Sequence, residues 1–150
     1  MFAYGLNWAE ARDTQKKKVY SMEDEIILYL NKKNKLSKLS ENEMIDLFYK
    51  IFDSYGITAS PNFNFHPKSD TKAIGSCLNF IIPDWGHNAY IIIHETCHAL
   101  AQHLVKNEYA PHGKEFVSLL LKNLSIHFSE DLRVLNKFAK NHKVNFKRKG

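Results

Sequence analysis

The sequence predicts a single-domain α+β fold, and three observations carry that expectation. The chain has 150 residues and 17.5 kDa, enough to bury one hydrophobic core and too few for two independent domains. Apolar residues recur at helical spacing towards both ends, whereas the middle holds short alternating or apolar stretches that suit strands. Helices before and after a block of strands, rather than strict strand–helix alternation, specify a small mixed or antiparallel sheet with helices packed around it. Composition agrees: 44% hydrophobic and 25% charged residues exclude the disordered and fibrous classes.

In chain order, Ser21 with Asp24 resembles a capping box with the shorter acid. Ile26, Ile27, Leu28 and Leu30 follow it, predicting a helix over about 22–33. Residues 32–38 read as a basic, polar connector. Ser40-Glu41-Asn42-Glu43 is a full capping box, and Met44, Ile45, Leu47, Phe48, Ile51 and Phe52 recur behind it at helical spacing. That helix should stop near Tyr55, because Gly56 suits the left-handed position after a helix. Residues 62–66 alternate at period two and residues 77–82 run apolar up to Pro83, so both read as strands. Residues 84–88 form a turn. A long, largely buried helix is expected from Ala89 to about Val105, Pro111 marks the next start, and helices over 113–124 and 130–139 complete the chain.

The formal charge of +5 is unevenly spread. Lys137, Lys140, Lys143, Lys147, Arg148 and Lys149 follow residue 136 with no acidic residue among them, leaving 15 basic against 16 acidic residues before it. The expected division is therefore a domain over 1–136, with an N-terminal arm at 1–20, and a basic tail over 137–150. Such a tail could contact the phosphates of DNA, or simply remain solvated. No secretory signal is visible at residues 1–7, and no apolar run is long enough for a membrane span. With Cys77 and Cys97 read as reduced thiols, the expected setting is a cytoplasm.

His94-Glu95-Thr96-Cys97-His98 has the spacing H-E-x-x-H within the long predicted helix. Residues four apart share one helix face, so both imidazoles can point at one metal ion. Glu95 lies roughly 100° around the helix, placed to take a proton from water at the metal and hand it to a leaving amine. A chain of this composition yields roughly 0.03 such matches by chance. The alternative is a helix whose two histidines are merely packed or solvated. A catalytic zinc site needs a third protein ligand and one open position. Ala101 and Leu104 stand where a continuation of the motif with Gly and a third His would be required, so that spacing fails. His112, after Pro111 at a helix start, is the leading candidate, with Glu115 next and Glu108 and His103 behind. Cys97 and Phe116 read as buried packing residues. His66, His87, Tyr90, Tyr109 and Arg133 are available as donors to a developing oxyanion, and the 77–82 strand as a free edge for a substrate strand.

Together, His94-Glu95-x-x-His98 and His112-Gly113-x-Glu115-Phe116 resemble the SprT-like zinc metallopeptidases, the group that includes the DNA-dependent protease Spartan. That resemblance implies a zincin-like fold with His112 as third ligand, Zn²⁺ as cofactor and a protein or peptide substrate. Arg12-Asp13-Thr14-Gln15, Val19-Tyr20 and the closing helices additionally resemble a family of small metallohydrolases of bacteria and phages, over about residues 12–144. That family has no assigned biochemical role. The chain lacks the Cys-x-x-Cys pair of a zinc ribbon found in larger SprT proteins. The expectation is thus a zinc-dependent hydrolase with His94, His98 and His112 on the metal and Glu95 as general base. The competing expectation is a nucleic-acid-associated protein whose zinc is structural or whose peptidase activity is vestigial.

Overall fold

The computed structural model describes residues 13–67, 72–76 and 78–147. Among these residues, five α-helices and a three-stranded mixed sheet follow in the order α1 (Lys16–Lys32), α2 (Glu41–Ser54), β1 (Asn62–Asn64), β2 (Ile74–Ser76), β3 (Asn79–Ile81), α3 (Ala89–Val105), α4 (Lys114–Phe128) and α5 (Leu132–Asn141). The α+β class expected from the sequence is the one observed.

Helix α1 starts at Lys16, not near residue 22, so Ser21 lies inside it and caps nothing. Its buried stripe explains why: Val19, Met22, Glu23, Ile26 and Leu30 recur every three or four residues, and Val19 can join the core only if the helix already exists there. Leu28, part of the same apolar run, faces outward. Residues 16–20 of the expected N-terminal arm are thus the opening turn of α1. Helix α2 begins with the reciprocal capping box of Ser40 and Glu43 and ends before Gly56 at φ 69°, both as expected.

The sheet order is β1-β3-β2, with β1 parallel and β2 antiparallel to β3. The 77–82 stretch thus contributes the central strand, and its expected role as a free edge is corrected: both of its flanks are paired. The neighbouring edge is β2, a strand of three residues that has no signature in the sequence. Leu78, at φ 66°, makes the tight turn between the two. Phe48, Phe63 and Phe80 pack between α2 and the sheet, with ring centroids 4.7–5.9 Å apart.

Helix α3 is buried along most of its length, as a helix apolar on nearly every face must be. The Asn88 side chain caps its start by accepting from the Ile91 N–H. It packs chiefly against α4, and also against α2 and β2. The 136/137 boundary suggested by charge falls within α5. Ala139 and Val144 are buried, Asn145 is bonded to Gln15, and Lys147 pairs with Glu115 at 2.5 Å, so the basic segment is part of the domain through Lys147. Residues 148–150 lie outside the described residues. No helix among the described residues is long and apolar enough to cross a membrane.

Candidate metal centre

His94 and His98 project from one face of α3, one turn apart, with ring centroids 4.7 Å apart. His112 reaches them from the short turn before α4. That turn is closed by the Gly113 N–H donating to the Ala110 carbonyl at 3.0 Å. One ligand atom from each of the three histidines lies within 4.8 Å of the other two. Phe116, fully buried, stacks on His98 at 4.0 Å and meets His94 and His112 edge-on, so one ring supports all three imidazoles. The packing role expected of Phe116 is what the structure gives it.

The outer nitrogen of each imidazole is tied. Nδ1 of His94 lies 2.6 Å from Glu23 Oε2, Nδ1 of His98 lies 2.8 Å from the Tyr109 hydroxyl, and Nδ1 of His112 lies 3.0 and 3.1 Å from the Asp13 carboxylate oxygens. With each Nδ1–H donating outward, the Nε2 lone pairs face inward. Such outer partners fix ring orientation and tautomer in metal sites. Glu23 also accepts from the Tyr90 hydroxyl at 2.8 Å, which holds its own carboxylate still. Gln15 fixes the His112 backbone, its Nε2 donating to the His112 carbonyl at 2.8 Å. Through the same amide it binds both backbone groups of Asn145.

The inward side fits a cation. Nε2 of His94 and Nε2 of His98 are 3.1 Å apart, a contact between two lone pairs that needs a proton or a positive ion between them. Nε2 of His112 is buried and has no hydrogen-bond partner. Two ligands about 2.0–2.1 Å from a tetrahedral zinc stand about 3.4 Å apart, close to the observed separation. Electrostatics agree. Burial disfavours a charged His94, yet Glu23 and Glu95 outweigh it and raise the group to about 9. For His98, burial and the neighbouring His94 and His112 push the pKa well below the usual imidazole value, leaving that ring neutral. For His112, burial lowers it against the opposing pull of Asp13.

Glu95 is buried, with Oε2 3.9 Å from His94 Nε2. Burial raises its pKa, His94 and a backbone hydrogen bond from Gly75 act in the opposite direction, and Glu23 adds to the rise. The Gly75 contact comes from β2, which lies directly against α3: a Cβ at Gly75 would stand 2.5 Å from the Glu95 carbonyl oxygen.

The structure therefore brings together His94, Glu95, His98 and His112. The other ligand candidates lie apart. Glu115 pairs with Lys147, while Glu108 and His103 are exposed. Among the donors considered from sequence, His66 pairs with Glu41 on the surface, His87 binds the Phe65 and Ile82 carbonyls, and Arg133 pairs with Asp131. Tyr90 and Tyr109 are at the site but engaged with Glu23 and His98. Burial pushes the Cys97 thiol far up, as befits an inert packing residue, while Cys77 and Arg12 lie outside the described residues. Sequence reasoning missed Glu23, and it singled out Asp13 only within the Arg12-Asp13-Thr14-Gln15 resemblance. One signal existed for Glu23: an acid on the apolar stripe of α1 calls for a buried partner.

No protein-family model, curated protein or solved structure matches the chain. The fold and site by themselves define a small α+β protein with a buried three-histidine cluster able to hold a metal ion.

Proposed function

We propose that the chain is a zincin-like, zinc-dependent hydrolase that cleaves peptide bonds. The observation that carries this reading is the convergence of one ring nitrogen from each of three histidines beside a buried carboxylate, with every Nδ1 already bonded. An all-imidazole set of three suits zinc and leaves a fourth position open. Zinc, when bound, supplies Lewis acidity towards water and the substrate carbonyl.

The chain's own residues do the rest. Glu95, held by the Gly75 N–H, accepts a proton from the attacking water as its oxygen bonds to the carbonyl carbon. The same carboxyl returns that proton to the amide nitrogen as the C–N bond breaks, giving a carboxylic acid and an amine. A carboxylate whose pKa is raised by burial is better matched to both transfers near neutral pH. The preference for peptide bonds rests on the H-E-x-x-H motif and its resemblance to SprT-like enzymes. DNA, contacted through the exposed Lys137, Lys140 and Lys143, is an ancillary partner in this reading, and the cytoplasm is its setting.

Glu95→Gln keeps the shape and removes the base. The variant should bind zinc as wild type does and cleave casein at least about 10²-fold more slowly. Undiminished cleavage by this variant overturns the role of Glu95.

A further inference from the structure

Hydrolysis of an amide places negative charge on the carbonyl oxygen, and a positioned donor there is worth about 10²–10³ in turnover. Such a donor must stand beside the histidine cluster, be reachable from solvent and carry a hydrogen not used within the fold. Tyr90 and Tyr109 flank the cluster, but the Tyr90 hydroxyl donates to Glu23, and the Tyr109 hydroxyl lies against Nδ1 of His98, behind that ring rather than on its Nε2 side. His66, His87 and Arg133 are engaged elsewhere.

Tyr20 meets all three conditions. It lies one turn before Glu23 on α1, and its ring sits edge-on to His112 with centroids 5.0 Å apart. The residue is 44% exposed, and no hydrogen bond among the described residues occupies its hydroxyl. Lys16 Nζ lies 5.8 Å from the ring centroid and helps hold the ring in place. We propose that the Tyr20 hydroxyl is a catalytic group, donating a hydrogen bond to the carbonyl oxygen of the substrate as charge develops on it. This role rests on the hydrolase reading above.

The test uses the full chain loaded with cobalt, titrated with acetohydroxamate and separately with imidazole, and followed by visible absorption. Acetohydroxamate offers a carbonyl oxygen to the donor, whereas imidazole offers the metal a nitrogen and the donor nothing. Tyr20→Phe should bind acetohydroxamate about tenfold more weakly, with imidazole affinity unchanged. In casein cleavage it should lower kcat about 10²-fold and leave KM nearly unchanged. Equal acetohydroxamate affinity in the two proteins, or parallel loss for both ligands, overturns the proposal. A wild-type chain that takes up no cobalt overturns the metal reading itself and this role with it, an outcome distinct from the other two.

Discussion

At the scale of single residues, the cluster is defined as much by what holds the imidazoles as by the imidazoles. Glu23 comes from 71 residues upstream of His94, and Asp13 from 99 residues upstream of His112. The ligand face was legible in the sequence because H-E-x-x-H encodes its geometry within one helical turn. The partners were not, because no local spacing links residues brought together only by folding. Glu23→Gln tests their importance. The amide is nearly isosteric but places no negative charge behind His94, so zinc affinity should fall by about 10–100-fold while the fold is retained. Competition against a chromophoric chelator reads the change, and equal affinity would remove Glu23 from the account.

At the scale of elements, the contrast between helices and strands is instructive. Helix α2 was readable because its capping box and Gly56 are local signals, each satisfied within a few residues. The start of α1 was obscured by Ser21, a good capping residue overruled by the burial of Val19. Strand β2 was invisible because three residues containing a glycine carry almost no strand propensity; pairing with β3 and contact with α3 create it. Its glycine matters because of that contact. Gly75→Ala would drive a methyl group into the Glu95 backbone, forcing β2 away from α3. We expect destabilisation of about 1–3 kcal/mol in denaturant unfolding. Casein cleavage should also fall, because Glu95 loses its backbone donor. Unchanged stability would mean that β2 can shift freely.

At the scale of the whole molecule, residues 13–15 and 145–147, far apart in sequence, meet beside the metal centre. Gln15 bonds the backbones of His112 and Asn145 together, and the Lys147 N–H donates to Ser118 Oγ on α4. Lys137, Lys140, Lys143 and Lys147, which looked like part of a separate tail, belong to this folded segment, a fact that charge distribution alone cannot reveal. A second tie lies at the far end of α1. The buried Glu130 carboxylate accepts from Tyr29, Lys33 and Lys35, joining the α1–α2 connection to the turn between α4 and α5. Burial opposes its ionisation, but these donors prevail and hold its pKa at about 2. A carboxylate depressed in the folded state stabilises the protein above its unfolded pKa and loses that contribution as pH falls through the folded value. Wild type should therefore exceed Glu130→Gln in stability at pH 6, and the difference should shrink between about pH 4.5 and pH 2. Denaturant midpoints measured across that range check the sign; a difference independent of pH would contradict it.

All three scales meet in the claim that His94, His98 and His112 jointly hold one metal ion. Metal analysis of the purified wild-type chain and of His112→Ala, each after equilibration with zinc and removal of the excess, tests it most directly. The account predicts one tightly held zinc per wild-type chain and loss of stoichiometric zinc from the variant, with both proteins folded by circular dichroism. A full zinc complement in His112→Ala, or none in the wild type, would contradict it.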